Sequence, residues 1–241
     1  DEGMGTITTY SFTGDGELTV RGQVQSVGNP VHLALNPARS HLFVAHYGPG
    51  RTEVIGLDDD GYVEASLDDV LTGGQTHATL VPAGDHLFAA SKADDQVAQL
   101  SFDGTSLTVN APITTANGSG PRHLAMHPNG QMVYLINELD RTLDTFTYDP
   151  QAGTLSSAQA PVGLDLPGST ANGTGADIHV HPSGDFLYVS LRRDGEDGEL
   201  VRCDLDAQGL PTAVDASSTQ GRTPRNFDIT EDGQHVLGAN Q

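Results

Sequence analysis

The chain has 241 residues, 36% of them hydrophobic, with 32 acidic against 11 basic side chains and a formal net charge of −21. That length admits one large core or two small ones. It holds no run of about 18 apolar residues of the kind that crosses a membrane as a helix, and its charge repels nucleic acid and anionic lipid, so neither is expected as a partner. A single cysteine, Cys203, leaves no internal disulfide and no cysteine metal cluster. With no cysteine pair to staple the fold, the expected compartment is the cytoplasm. Only Lys92 among the basic residues is lysine. A lysine-poor acidic surface fits a high-salt habitat, and equally a GC-rich codon supply.

In chain order, residues 6–12 and 17–25 read as two strands, ITTYSF and ELTVRGQVQ among them. Five related stretches follow: NPVHLALNPARSHLFVAHYG, QTHATLVPAGDHLFAASKAD, GPRHLAMHPNGQMVYLINELD, GADIHVHPSGDFLYVSLRRD and TPRNFDITEDGQHVLGANQ. Pro37, Pro82, Pro128, Pro182 and Glu231 mark equivalent points, at intervals of 45, 46, 54 and 49 residues. A period of about 40–50 residues with four short strands per unit indicates an all-β propeller of four-stranded antiparallel blades. The apolar runs are short, partly alternating, and punctuated by Gly, Pro, Asn and Asp, which excludes a helical repeat. In the third unit the strands are expected at 122–127, 131–137 and 142–148, with a fourth following GTL at 153–155. Its PNG turn presets φ with proline and takes the left-handed position with glycine. Four whole units and a half unit at each end give a single propeller domain over 1–241. The two halves either combine into a five-bladed ring or belong to a longer propeller, and the ragged ends and non-methionine start favour a domain incomplete at both ends.

The first two strands of a blade are antiparallel, so the start of one and the end of the next lie together, at the channel mouth that the innermost strands line. Residues at those ends are His32, His46, Tyr47, His77, Lys92, Arg122, His123, Asn137, Glu138, Asp177, His179, Arg192, Arg193, Arg225, Asn226 and Asn240. Five of the eleven basic residues fall in this set, so a cationic funnel is expected inside an anionic molecule, fit for a small anion. Arg122, Glu138, His77 and Arg192 are expected to converge there, with Pro128, Pro182 and Gly184 on the opposite face. Two readings stand for several of these residues. His123 and His179 serve either as packing residues or as ligands, and an Arg–Glu pair serves either as an inter-blade tie or as chemistry. His127 and His181 fall in the turns and read as structural.

The same stretches, above all GPRHLAMHPNGQMVYLINELD, resemble the seven-bladed propeller lactonase family, of the bacterial 6-phosphogluconolactonase type and related to carboxy-cis,cis-muconate cyclases. The resemblance implies seven blades in the full protein, about five of them represented here. It also implies hydrolysis of 6-phosphoglucono-1,5-lactone to 6-phosphogluconate with no cofactor, and a site built on His77, Arg122, Glu138 and Arg192; the clustered arginines disfavour a metal ion. A lactone carbonyl needs a base for the attacking water and donors for the developing oxyanion. Glu138 or His77 is suited to be the base, and Arg122 with His123 to hold the oxyanion or ring oxygen. Arg192 and Arg225 suit a phosphate as bidentate forks. Asn137, Asp177 and His179 complete the expected substrate-binding set. The acidic insertion SLRRDGEDGELVRCDL leaves the choice between Arg192 and Arg193 open. No GxSxG elbow is present. A cyclase or lyase acting on a dicarboxylate, and a non-catalytic binding propeller, remain as alternatives. The expected partner is a small anionic sugar lactone, bound by a monomer or weak oligomer.

Overall fold

The computed structural model describes residues 5–82, 85–167 and 172–241. The described residues contain strands and turns but no helix, and they fall into two compact units, 1–112 and 113–241. The first unit begins with a two-stranded sheet, β1 (Thr6–Phe12) and β2 (Leu18–Gln25). Two antiparallel meanders follow, β3 (Pro30–Leu35), β4 (His41–His46), β5 (Arg51–Leu57) and β6 (Val63–Leu71), then β7 (Thr76–Leu80), β8 (His86–Ser91), β9 (Gln96–Phe102) and β10 (Leu107–Val109). The second unit opens with the two-residue β11 (Ile113–Thr114). Its first meander is β12 (Pro121–Met126), β13 (Met132–Asn137), β14 (Thr142–Asp149) and β15 (Thr154–Ser157), with β16 (Val162–Gly163) added along β14. Its second is β17 (Gly173–Val180), β18 (Phe186–Arg193), β19 (Glu199–Leu205) and β20 (Pro211–Ser218). It closes on a two-stranded sheet of β21 (Pro224–Ile229) and β22 (Val236–Asn240). These four-stranded antiparallel sheets are propeller blades.

The second strand of a blade carries the core. β13 is buried at all six positions, and β4 and β8 at five of six. Such a strand is covered on both faces, so MVYLIN and HLFVAH read as continuous apolar runs rather than alternating ones. In the second unit, Tyr134, Ile136 and Leu143 of one blade interlock with Leu187, Val189 and Leu191 of the next. Each such buried aliphatic side chain contributes about 1.5–3 kcal/mol. β22 differs from its counterparts: all five of its residues are exposed.

The turns hold the hairpins at their far ends. Gly130, Gly184 and Gly233 take the left-handed position of their turns, with φ of 71°, 81° and 69°. His127 and His181 bind structurally here. The Nε2 of His127 lies 2.9 Å from Gly184 O, and that of His181 lies 3.1 Å from Gly233 O, so each turn is tied to the next blade's turn. Pro82 begins the equivalent turn of the second meander, whose next residues, 83 and 84, lie outside the described residues.

Candidate active site

A backbone irregularity builds the site. In the first strand of every blade the register slips by a bulge near its start: between Pro30 and His32, Thr76 and Ala78, Pro121 and His123, Gly175 and Ile178, and Pro224 and Asn226. A bulge leaves its residue out of the ladder and re-aims the side chain. The residues so released are Val31, His77, Arg122, the pair Ala176–Asp177, and Arg225. Sequence reasoning placed most of these at strand starts but missed the bulge. Its only linear trace is the recurring small or proline residue just before the polar one, as in Thr76-His77, Pro121-Arg122 and Pro224-Arg225.

In the second unit three of the expected residues meet. Arg122 Nε lies 3.1 Å from Glu138 Oε2, and Arg192 Nη2 lies 3.2 Å from Glu138 Oε1, so one carboxylate bridges two guanidiniums. All three are largely enclosed, with 3%, 10% and 17% of the Arg122, Glu138 and Arg192 side chains exposed. Backbone contacts hold the frame. Glu138 N donates to Gly120 O, Gly175 N to Glu138 O, and Arg192 Nη2 to Gly175 O, at 2.7, 2.8 and 2.8 Å. This depends on glycine at 175, because a Cβ there would come within 2.7 Å of Asn137 O. Burial, with repulsion from Arg192, lowers the Arg122 pKa to about 10, against the attraction of Glu138; Arg225 adds to the repulsion.

Asp177 stands beside this cluster as a buried acceptor. His123 Nδ1 lies 2.7 Å from its Oδ1, which also accepts from Ile178 N at 3.0 Å. Its Oδ2 takes His179 Nε2 at 3.2 Å, Asn226 Nδ2 at 2.5 Å and Phe227 N at 3.1 Å. Burial opposes ionisation, but the hydrogen bonds from His123 and His179 outweigh it and hold the Asp177 carboxyl far below the ordinary carboxylate range. His179 is shifted the other way: burial alone would lower it, and its bond to Asp177 raises it. Its ring also meets Phe227 edge-on at 4.8 Å.

Other expected members have partners of their own. Asn137 is fully buried and turns into its own sheet, its Nδ2 donating to Thr142 Oγ1 at 2.9 Å and to Asp144 at 2.6 Å. The arginine pair separates. Arg192 joins Glu138, while Arg193 runs to Asp165 and Glu199, at 2.7 and 2.5 Å. Arg225 is exposed and acts on Arg122 through its charge. His77 lies in the first unit, buried at its bulge, with its ring 5.0 Å edge-on from Tyr47. Lys92 Nζ lies 6.0 Å from the centre of the same tyrosine ring. Among the described residues no group of three or more His, Cys, Asp or Glu is placed to hold a metal ion. The donor chemistry agrees, since the Glu138 oxygens face guanidiniums and the Asp177 oxygens face N–H donors. Burial pushes the Cys203 thiol up to about 12, with Asp204 adding to it, so it is a core side chain.

The whole chain, residues 1–241, matches the family model described as lactonase, 7-bladed beta-propeller. The chain belongs to this lactonase family. A 6-phosphogluconolactonase of Serratia proteamaculans is 31% identical over 98% of this chain and 71% of its own length. One from Pectobacterium atrosepticum is 28% identical, again over 98% of this chain and 71% of the relative. Among solved structures, the periplasmic gluconolactonase of Pseudomonas aeruginosa superposes with a TM-score of 0.88 at 27% identity, covering 98% of this chain and 70% of that one. The resemblance read through all five repeats thus agrees with a match over residues 1–241. No helix of the described residues is long and apolar enough to cross a membrane.

Proposed function

We propose that this lactonase hydrolyses 6-phosphoglucono-1,5-lactone to 6-phosphogluconate, with Arg122, Glu138 and Arg192 at its centre. The observation that carries the reading is the enclosed carboxylate bridged by two arginines, with Arg225 nearby, in a molecule of net charge −21. An excess of cation so placed matches an anionic substrate and the oxyanion that forms at its carbonyl.

Water attacks the lactone carbonyl carbon, forming a C–O bond, and gives up a proton to a base. The ring C–O bond then breaks, and the released oxygen takes a proton to become the new hydroxyl. Arg122, buried and under repulsion from Arg192 and Arg225, is suited to face the oxyanion. Arg192 is the more open of the two guanidiniums, and the substrate's phosphate competes for it. As Arg192 turns to the phosphate, Glu138 is freed to accept the proton from water, a role worth about 10²–10⁴-fold in rate when a side chain is well positioned. Arg225 grips the same anion from the surface. No cofactor or metal enters this scheme. The enzyme works as a monomer or weak oligomer in the cytoplasm, where sugar phosphates are made.

A second reading has its own support: the superposed Pseudomonas enzyme is a periplasmic gluconolactonase, so an unphosphorylated lactone is a competing substrate. Assay of the purified chain on 6-phosphogluconolactone, gluconolactone and carboxy-cis,cis-muconate, with and without chelator, separates the readings. Chelator-resistant turnover favouring the phosphorylated lactone is expected. Preference for plain gluconolactone transfers the assignment to the second reading, turnover of carboxymuconate alone points to a cyclase, and no turnover of any substrate points to a binding protein.

A further inference from the structure

The five acceptor contacts on Asp177 saturate a carboxylate, which offers about four lone-pair positions. No place is left for a substrate hydroxyl. The donors come from three successive blades: His123 from β12, Ile178 and His179 from β17, and Asn226 and Phe227 from β21. The main chain of Asp177 is fixed as well, its N–H donating to Ser190 Oγ at 3.0 Å. So Asp177, expected from the sequence to bind substrate, is a hub inside the protein.

What the hub holds is informative. The other ring nitrogen of His123, Nε2, lies 3.2 Å from Arg122 Nη1. A guanidinium has donors only, so Nε2 must accept, and the single ring proton sits on Nδ1, facing the Asp177 carboxylate. The same Nη1 donates to Ala176 O, one residue before the hub. Arg122 is crowded by the like charges of Arg192 and Arg225. A guanidinium under such repulsion keeps one orientation only if it is tethered. Glu138 tethers its Nε side, and the Ala176–Asp177 bulge tethers Nη1 twice, once directly and once through the imidazole.

We propose that Asp177 and His123 are positioning residues for Arg122: the carboxylate sets the imidazole tautomer, and the imidazole aims the guanidinium at the reacting carbonyl. This rests on the lactonase reading above, in which Arg122 meets the oxyanion. Neither residue then touches substrate, and their loss lowers turnover without weakening binding.

The test is a double-mutant cycle with a second, activity-free readout. Asp177→Asn is expected to lower kcat about 10–100-fold with KM changed less than about threefold, as for a lost charge-assisted bond. In an Arg122→Lys background, where no guanidinium is left to aim, the same change is expected to cost less than about threefold, since coupled residues are not additive. His123→Gln keeps an acceptor near the Nε2 position, and His123→Asn keeps only the Nδ1 side. The glutamine variant is therefore expected to retain more activity at equal thermal stability, and this pair carries the test if Asp177→Asn does not fold. In parallel, the Arg122 guanidinium N–H signals, assigned by Arg122→Lys, should be sharp in the wild type and in His123→Gln, and broadened in His123→Asn. Full multiplication of the Asp177 and Arg122 effects, or equal signals and activities in the two His123 variants, overturns the proposal. If wild type turns over no lactone yet the Arg122 signals respond as stated, the positioning stands and the substrate reading alone fails.

Discussion

Two clusters of charge occupy matching ends of second strands, and they are opposites. At the end of β4, His46 sits with Glu53 and Ser26, sealed from solvent. His46 Nδ1 faces Gly28 O at 2.7 Å and its Nε2 faces Glu53 at 2.9 Å. Glu53 also accepts from Ser26 and from Ser66, the latter at 2.5 Å. Burial opposes its ionisation, but these bonds keep its pKa below the ordinary value. Just past the end of β13, one carboxylate serves Arg122 and Arg192, part of the cluster remains open, and Arg192 Nε meets no hydrogen-bond acceptor among the described residues. A charge cluster that is sealed and satisfied joins strands. One with surplus cation, and with a guanidinium edge left without an acceptor, has capacity left for a ligand. Charge at a hairpin end does not separate the two cases; satisfaction does.

The comparison breaks most visibly if the sealed pair is cut. His46→Leu leaves Glu53 buried without its main partner, and a loss of about 3–5 kcal/mol in urea unfolding is expected. Expression of a stable His46→Leu chain would remove the structural role assigned to this cluster. Arg225→Ala tests the open side. Stability should hold within about 0.5 kcal/mol, the usual range for a surface change, while KM for the phosphorylated lactone rises about tenfold or more, as for a lost charge-assisted bond. An unchanged KM removes Arg225 from the phosphate grip.

The Asp177 hub gives a smaller, pH-dependent effect. The pKa of His179 is raised in the folded state, so its stabilisation is present below the unfolded value of about 6.5 and fades as pH rises through the folded value. The depressed Asp177 behaves in the opposite sense, contributing above about pH 4 and fading only as pH falls toward its low folded value. His179→Gln should therefore destabilise more at pH 6 than at pH 9, and an equal loss at both would deny that the Asp177–His179 charge pair matters. The smallest change expected is in a turn. Arg39 takes a left-handed φ of 55° where the corresponding turns use glycine. Arg39→Gly should be neutral to stabilising, by up to about 1 kcal/mol, because a side chain there costs about that much. A drop in Tm would show that the arginine makes an offsetting contact.

Much of this architecture was legible in the repeat. The third unit's second strand, expected at 131–137, is β13 at 132–137, and its third, expected at 142–148, is β14 at 142–149. Periodicity and turn residues report on local backbone, and local backbone is what these strands need. The approach of Arg122 to Glu138 follows from antiparallel pairing within one blade, and that of Arg192 from the same geometry repeated in the next blade around a shared mouth. What stayed hidden depends on which partner a side chain finds. Asn137 and Glu138 are neighbours on one strand end, yet pleating sends the amide inward to Asp144 and leaves the carboxylate for the arginines. Arg192 and Arg193 diverge for the same reason. The saturation of Asp177 needs Asn226 and the Phe227 amide from another blade, about 50 residues on, which no local pattern records. Glu53 did leave a trace, as a lone carboxylate inside the buried run of RTEVIGL, but its histidine and serine partners lie on other strands and loops.

The central claim is that the carboxylate between the two arginines does chemistry rather than joining blades. Steady-state kinetics of Glu138→Gln on 6-phosphogluconolactone tests this most directly, because the amide keeps the shape and removes the basic oxygen. A fall in kcat of about 10²–10⁴-fold is expected, with KM nearly unchanged and the fold intact by circular dichroism. Turnover at the wild-type rate by a folded Glu138→Gln chain would contradict it, and would leave the Arg122–Glu138–Arg192 bridge as a second structural tie like that of His46 and Glu53.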